Sequence, residues 1–177
     1  METFECIIKY GELGFTHVIP KGFDHILFIL SIFLLSSNFK TVLLQCTVFT
    51  IAHSISLAMA ATGLIFADSK YVEPIIALSI FYTSIENIVG SKLNKWRLLI
   101  VFIFGLIHGM GFASALSDIG LPKSNFITAL VSFNVGVELG QIGVLFLAWF
   151  CIAKWFANKA WYKNKLVYPL SAVIACI

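Results

Sequence analysis

The chain has 177 residues, 59% hydrophobic and 12% charged, with a formal net charge of +3. Its mean hydropathy is +0.94. A soluble domain carries about 25% charged residues, so this composition excludes a water-covered globule and points to the lipid bilayer as the solvent. The basic residues form no stripe, which excludes nucleic acid, and the four cysteines lack the CxxC spacing of a zinc knuckle or redox pair.

Residues 1–21 are polar enough to be expected as a short extracytoplasmic segment, followed by a transmembrane bundle over 22–177. METFECIIKYGELGFTHVIPKG has no basic region leading into an apolar one, so it is not read as a secretory signal. Apolar spans follow at about 22–38, 41–66, 71–90, 98–118 and 126–153, and a sixth begins near 166. A membrane helix needs about 20 residues, which the five full spans approach or exceed. The final run, LVYPLSAVIACI, is shorter, so the last helix is expected to be partial or to continue. Backbone groups in lipid must bond within their own segment, and no strand-like alternation occurs. The expected fold is an all-α polytopic membrane bundle of about six helices.

Short polar joints separate the spans: SNFK, ADSK, SKLNKWR, LPKSN and AKWFANKAWYKNK. With the N-terminus outside, the cytoplasmic side holds Lys40, Lys92, Lys95, Arg97, Lys154, Lys159, Lys163 and Lys165. The outer side holds Lys9, Lys21, Lys70 and Lys123. Lysine and arginine favour cytoplasmic loops, so an outer N-terminus is expected. Trp96, Trp155 and Trp161 then fall at the inner boundary.

A faint repeat aligns VFTIAHSISLAMA (48–60) with IFGLIHGMGFASA (103–115), setting Phe49 on Phe104 and His53 on His108. FYTSIE and FNVGVE align likewise, setting Glu86 on Glu138.

Ionisable groups inside a bilayer are costly, about 2.5–3.5 kcal/mol or more for a charge at the helix centre. Asp24, His25, His53, Glu86, His108 and Glu138 nevertheless lie within the spans, one or more on each full helix. Counting 1.5 Å per residue from the span ends puts His53, His108 and Glu138 at mid-depth. Glu86 falls there or somewhat toward the cytoplasm. Asp24 and His25 fall near the outer boundary, with His17 just before them. Two layers are expected: an outer His/Asp/His group and a central His/His/Glu/Glu group. GLIHG (105–109) and GVELG (136–140) are both GxxxG, and each encloses an ionisable residue. Such faces bring helix backbones close.

Two imidazoles and two carboxylates suit Ni²⁺, Zn²⁺, Co²⁺, Mn²⁺ or Fe²⁺. A divalent ion would also offset two buried carboxylates. A lone membrane histidine more often links helices by a hydrogen bond. Its coincidence with carboxylates at one depth favours a metal. Asn87, Asn134 and Gln141 are expected to support ligands or join helices.

GFDHILFILSIFLL, FTIAHSISLA, IENIVG, FGLIHGMGFASAL and FNVGVELGQ, in this order, resemble the divergent branch of the HupE/UreJ family of bacterial membrane proteins. The resemblance implies a small inner-membrane, multi-pass protein of six or so helices, associated with nickel or cobalt uptake. It maps the family's His–Asp–His motif onto His17, Asp24 and His25, and its FHG-type histidine onto His108. Here Ile107 replaces the aromatic before that histidine, and six residues rather than five separate His17 from Asp24.

The leading expectation is therefore a divalent metal permease, with nickel first and zinc or cobalt as alternatives. Asp24, His25 and His17 would capture the ion, and His53, Glu86, His108 and Glu138 would hold it. The rival is an intramembrane zinc hydrolase of lipid or membrane peptide, with Glu138 or Glu86 as general base. Whether the chain is an enzyme stays open between them. Ligands in two layers favour transport, and one compact cluster favours catalysis. A third reading, a scaffold whose polar residues only join helices, predicts no metal. Beyond the bilayer and the metal, a homo-oligomer is left open.

Overall fold

The computed structural model describes residues 2–66, 68–90, 96–119, 122 and 125–177, with 113–119 as backbone only. Lys92, Lys95 and Lys123 of the orientation count lie outside the described residues. All described regular structure is helical. The elements are α1 (Thr3–Val18), α2 (Phe23–Leu35), α3 (Phe39–Ala61), α4 (Ser69–Val89), α5 (Arg97–Ile119) and α6 (Phe126–Ala148). A π-helical turn, Trp149–Ala153, carries α6 into the short α7 (Lys154–Phe156). A second π turn, Lys163–Val167, leads into α8 (Tyr168–Cys176).

Local chemistry sets the helix ends. The Asn38 side chain accepts from Thr41 N at 3.2 Å to start α3, and Asp68 accepts from Lys70 N at 2.9 Å to start α4. Gly63, with φ +75, ends α3. The Gly63 and Leu64 amides then donate to Ala60 O and Met59 O, the paired bonds of a Schellman motif.

Among the described residues, α3, α4 and the run Phe126–Phe156 are long and apolar enough to cross a membrane. The α1–α2 pair makes a fourth candidate span if taken as one helix bent by 63°. α5 is 23 residues long, and the part with described side chains, Arg97–Phe112, is apolar on average. The protein is thus a helical bundle of membrane-spanning character.

Within the segment expected to precede the bundle, Thr3–Val18 is helix and packs on α6. α1 lies along α6 and buries Cys6, Tyr10, Gly14 and Val18. Lipid gives apolar side chains no reason to pair, so membrane helices associate through close backbone approach. A Cβ on Gly14 would stand 1.9 Å from Phe133 O, and one on Gly136 would stand 2.1 Å from Gly11 O. α3 and α5 use the same device. A Cβ on Gly105 would meet Phe49 O at 2.5 Å, and one on Gly109 would meet His53 O at 2.3 Å. Both contacts have the same sequence offset, so α3 and α5 run in the same direction. The two segments of the faint repeat thus pack against each other. α2 crosses the centre, where Phe28, Ile29, Ile32 and Phe33 are buried.

Candidate metal centre

The break between α1 and α2 builds the site. Pro20 has no amide to continue α1. Gly22 closes the turn so tightly that a Cβ there would lie 2.3 Å from His17 O. His17 and His25 stand on either side of this turn, with ring centroids 4.7 Å apart. The broken ends abut α3 and α5 near their middles, at His53 and His108. One ligand atom each from His17, His25 and His53 lies within 4.8 Å of the other two. His108 adjoins them, its ring centroid 5.4 Å from that of His25.

His25, His53 and His108 are buried, and His17 is half-buried. Aromatic rings wall the group. Phe112 lies 3.9 Å and Phe133 5.6 Å from the His17 ring, and Phe49 lies 4.8 Å from His108.

Two rings are fixed by their second nitrogen. His108 Nδ1 lies 2.9 Å from Phe104 O, which can only accept, so Nδ1 carries the proton and Nε2 the lone pair. His25 Nδ1 donates to the Asp24 carboxylate at 3.2 Å, which frees its Nε2 in the same way. A ligating histidine held by a carboxylate or carbonyl on its other nitrogen is the usual support of a metal site. His17 Nε2, His25 Nε2, both nitrogens of His53, and His108 Nε2 are all buried and meet no hydrogen-bond partner among the described residues. Each such orphan costs about 1–3 kcal/mol. Four neighbouring imidazoles that each keep at least one buried nitrogen unpartnered are therefore costly unless something else binds them.

The two carboxylates expected in this centre are engaged elsewhere. Glu86 pairs with Arg97 Nη1, whose Nε donates to Gln45 Oε1 at 2.7 Å. Glu138 takes hydrogen bonds from Thr47 at 2.7 Å and Thr50 at 2.6 Å. The expected two layers also differ from the structure. His17, Asp24 and His25 are not an outer group above His53 and His108 but share their level. Arg97, counted above as a loop charge, is only 3% exposed. Gln45, Glu86 and Arg97 all sit toward the predicted cytoplasmic ends of their spans, and that coincidence was the available signal for their pairing. Asn87 joins helices as expected, donating to Ser31 O at 2.8 Å and Ser171 Oγ at 3.0 Å.

A membrane helical bundle with a broken helix and a buried histidine cluster is the class of protein these features define. The chain matches the family model described as HupE / UreJ protein over residues 2–177, and it belongs to that family. Comparison with curated proteins and with solved structures returned no match.

Proposed function

We propose that this chain is an inner-membrane carrier of divalent cations, nickel or cobalt first, with its N-terminus outside. His17, His25, His53 and His108 take the ion inside the bundle, and Asp24 holds His25 in its ligating tautomer. The ion is cargo. The observation that carries this reading is the convergence of unpartnered imidazole nitrogens from α1, α2 and α3, with the His108 ring of α5 adjoining them. A neutral nitrogen set without thiolate suits nickel, cobalt or zinc. The family's association with nickel and cobalt uptake supports the first two. A discontinuous helix whose broken ends meet an ion within the bundle is a recurrent transporter arrangement, because it frees side chains to bind and release.

The gathering of the histidines into one group favours a second reading, the zinc hydrolase. Hydrolysis needs a carboxylate free to take a proton from metal-bound water. Glu86 is committed to Arg97, Asp24 to His25, and Glu138 lies on the α3–α6 seam outside the group of ligand atoms from His17, His25 and His53. Transport needs no such base and is preferred.

The test is metal content by mass spectrometry of protein purified in detergent, followed by ⁶³Ni uptake into proteoliposomes. Wild type should carry or bind nickel and take it up, and His108→Ala and His25→Ala should lose both. No metal in wild type would sink the reading. Tightly held zinc without uptake would transfer it to the hydrolase.

A further inference from the structure

Glu138 lies on a seam between α3 and α6 that the histidine centre does not use. On α3, Thr47, Thr50 and Ser54 share one face, and on α6, Asn134 and Glu138 stand one turn apart. All five line a cavity of about 370 Å³. Asn134 is 8% exposed, and its Oδ1 has no hydrogen-bond partner among the described residues. Its amide lies beside His53, so the seam runs from Glu138 to the histidine cluster. Thr50 is one turn from His53, about 4.5 Å along the axis.

The hydrogen bonds around Glu138 can be completed in two ways. Thr47 Oγ1 lies 2.7 Å from Glu138 Oε1 and 3.1 Å from Leu43 O. Thr50 Oγ1 lies 2.6 Å from Glu138 Oε2 and 3.1 Å from Cys46 O. A hydroxyl has one proton to give. With Glu138 ionised, both threonines donate to it. With Glu138 protonated, it donates to one threonine, which turns its own proton to the carbonyl behind it. Rotating one hydroxyl therefore accommodates either state. A sodium ion would need these oxygens spread around it, whereas here they touch at direct hydrogen-bond distance.

The charges point the same way. A divalent ion among neutral imidazoles, with the Asp24 carboxylate beside them, leaves one positive charge in the bundle. An ionised Glu138 cancels it. Without the ion, the Glu138 charge has no such partner, and a lone charge in the bilayer is unfavourable. From α3 the buried Cys46 thiol faces Glu138, and His53 lies one turn past Thr50 on the same helix. Neither α1 nor α2 adds an ionisable side chain to the cavity lining.

We propose that Glu138, held between Thr47 and Thr50 on the α3–α6 seam, is a proton-binding site that exchanges one proton against the cargo cation. The Glu138 O–H bond breaks as the cation enters the histidine cluster, and the proton leaves through the seam. When the cation departs, a proton returns. This exchange rests on the transport reading above, whereas the proton site itself does not.

Two measurements test it. Protons released per nickel bound are counted by calorimetry in buffers of different ionisation enthalpy, for wild type and Glu138→Gln. The variant is isosteric and keeps a partner for each threonine. It should still bind nickel but release about one proton fewer per ion. In proteoliposomes, a one-unit pH gradient, acid inside, should shift nickel accumulation about tenfold in wild type and not in the variant. Equal proton release, or accumulation that follows a sodium gradient and ignores the pH gradient, overturns the exchange. Infrared spectra recorded without metal test the site alone. Acidification should produce a protonated-carboxyl band that Glu138→Gln removes and Glu73→Gln, at an exposed position, retains. If wild type binds no nickel, the transport reading fails, and the infrared result then decides the proton site. A band unchanged in Glu138→Gln overturns it.

Discussion

Gly109→Ala tests whether helix approach sets the histidine geometry. The new Cβ would lie 2.1 Å from Ser56 Oγ and 2.3 Å from His53 O. Ser56 can rotate away, but the carbonyl belongs to the backbone of a proposed ligand. It must retreat beyond 3.0 Å, a displacement of about 0.7 Å or more. Overpacking of this kind costs about 1–3 kcal/mol, and a chain of this size loses roughly 2–4 °C of Tm per kcal/mol. Metal geometry is the more sensitive readout, because a ligand must be held within about 0.5 Å. Losing support around a ligand typically weakens metal binding about 10–100-fold. The assay is nickel affinity by calorimetry in detergent, with Tm measured alongside. Gly143→Ala is the control, since its Cβ would meet Ile19 Cδ1 at 3.4 Å, an ordinary contact. If Gly109→Ala binds nickel as tightly as wild type and melts with it, close packing of α5 on α3 does not position the site.

Arg97→Met leaves Glu86 without its cation and Gln45 Oε1 without its donor, and breaking a buried pair from one side costs about 3–5 kcal/mol. Thermal melts should show that loss, largely recovered in Arg97→Met/Glu86→Met, and a double variant as unstable as the single would refute a pairing role. Asp24→Asn removes the carboxylate that orients His25, so nickel affinity should fall about 10–100-fold while Tm without metal stays close to wild type. Unchanged affinity would remove Asp24 from the centre.

Much of the fold was legible because lipid allows few solutions. Apolar runs of span length could only be helices, and α3, α4 and α5 begin and end within a few residues of their expected bounds, up to the Schellman turn at Gly63. α1 was missed. Glu2, Glu5, Lys9 and Glu12 all face outward, and they dilute the hydropathy of a helix whose other face is buried against α6. Average hydropathy cannot see that two-sidedness, although Gly11 and Gly14 carried a trace of the close approach.

The site was half legible for a related reason. The GxxxG glycines marked the faces on which α5 and α6 approach a neighbour, though not that the neighbours are α3 and α1. Depth was estimated by counting from the span ends, and that count assumes continuous helices. The turn at Ile19–Gly22 breaks this assumption. It sets His17 and His25 against the middles of α3 and α5, although a count from residue 22 puts them at a membrane boundary. The missing carboxylates have a different cause. Counting assigns Glu86 and Glu138 a depth but no azimuth, and around a helix a few tens of degrees decide the neighbour. Glu86 turned to Arg97 and Glu138 to Thr47 and Thr50, because an intramembrane charge takes the nearest donor that can neutralise or solvate it. The Nε2 atoms of His17, His25 and His108 meet no such donor among the described residues, and the cation is the partner proposed for them.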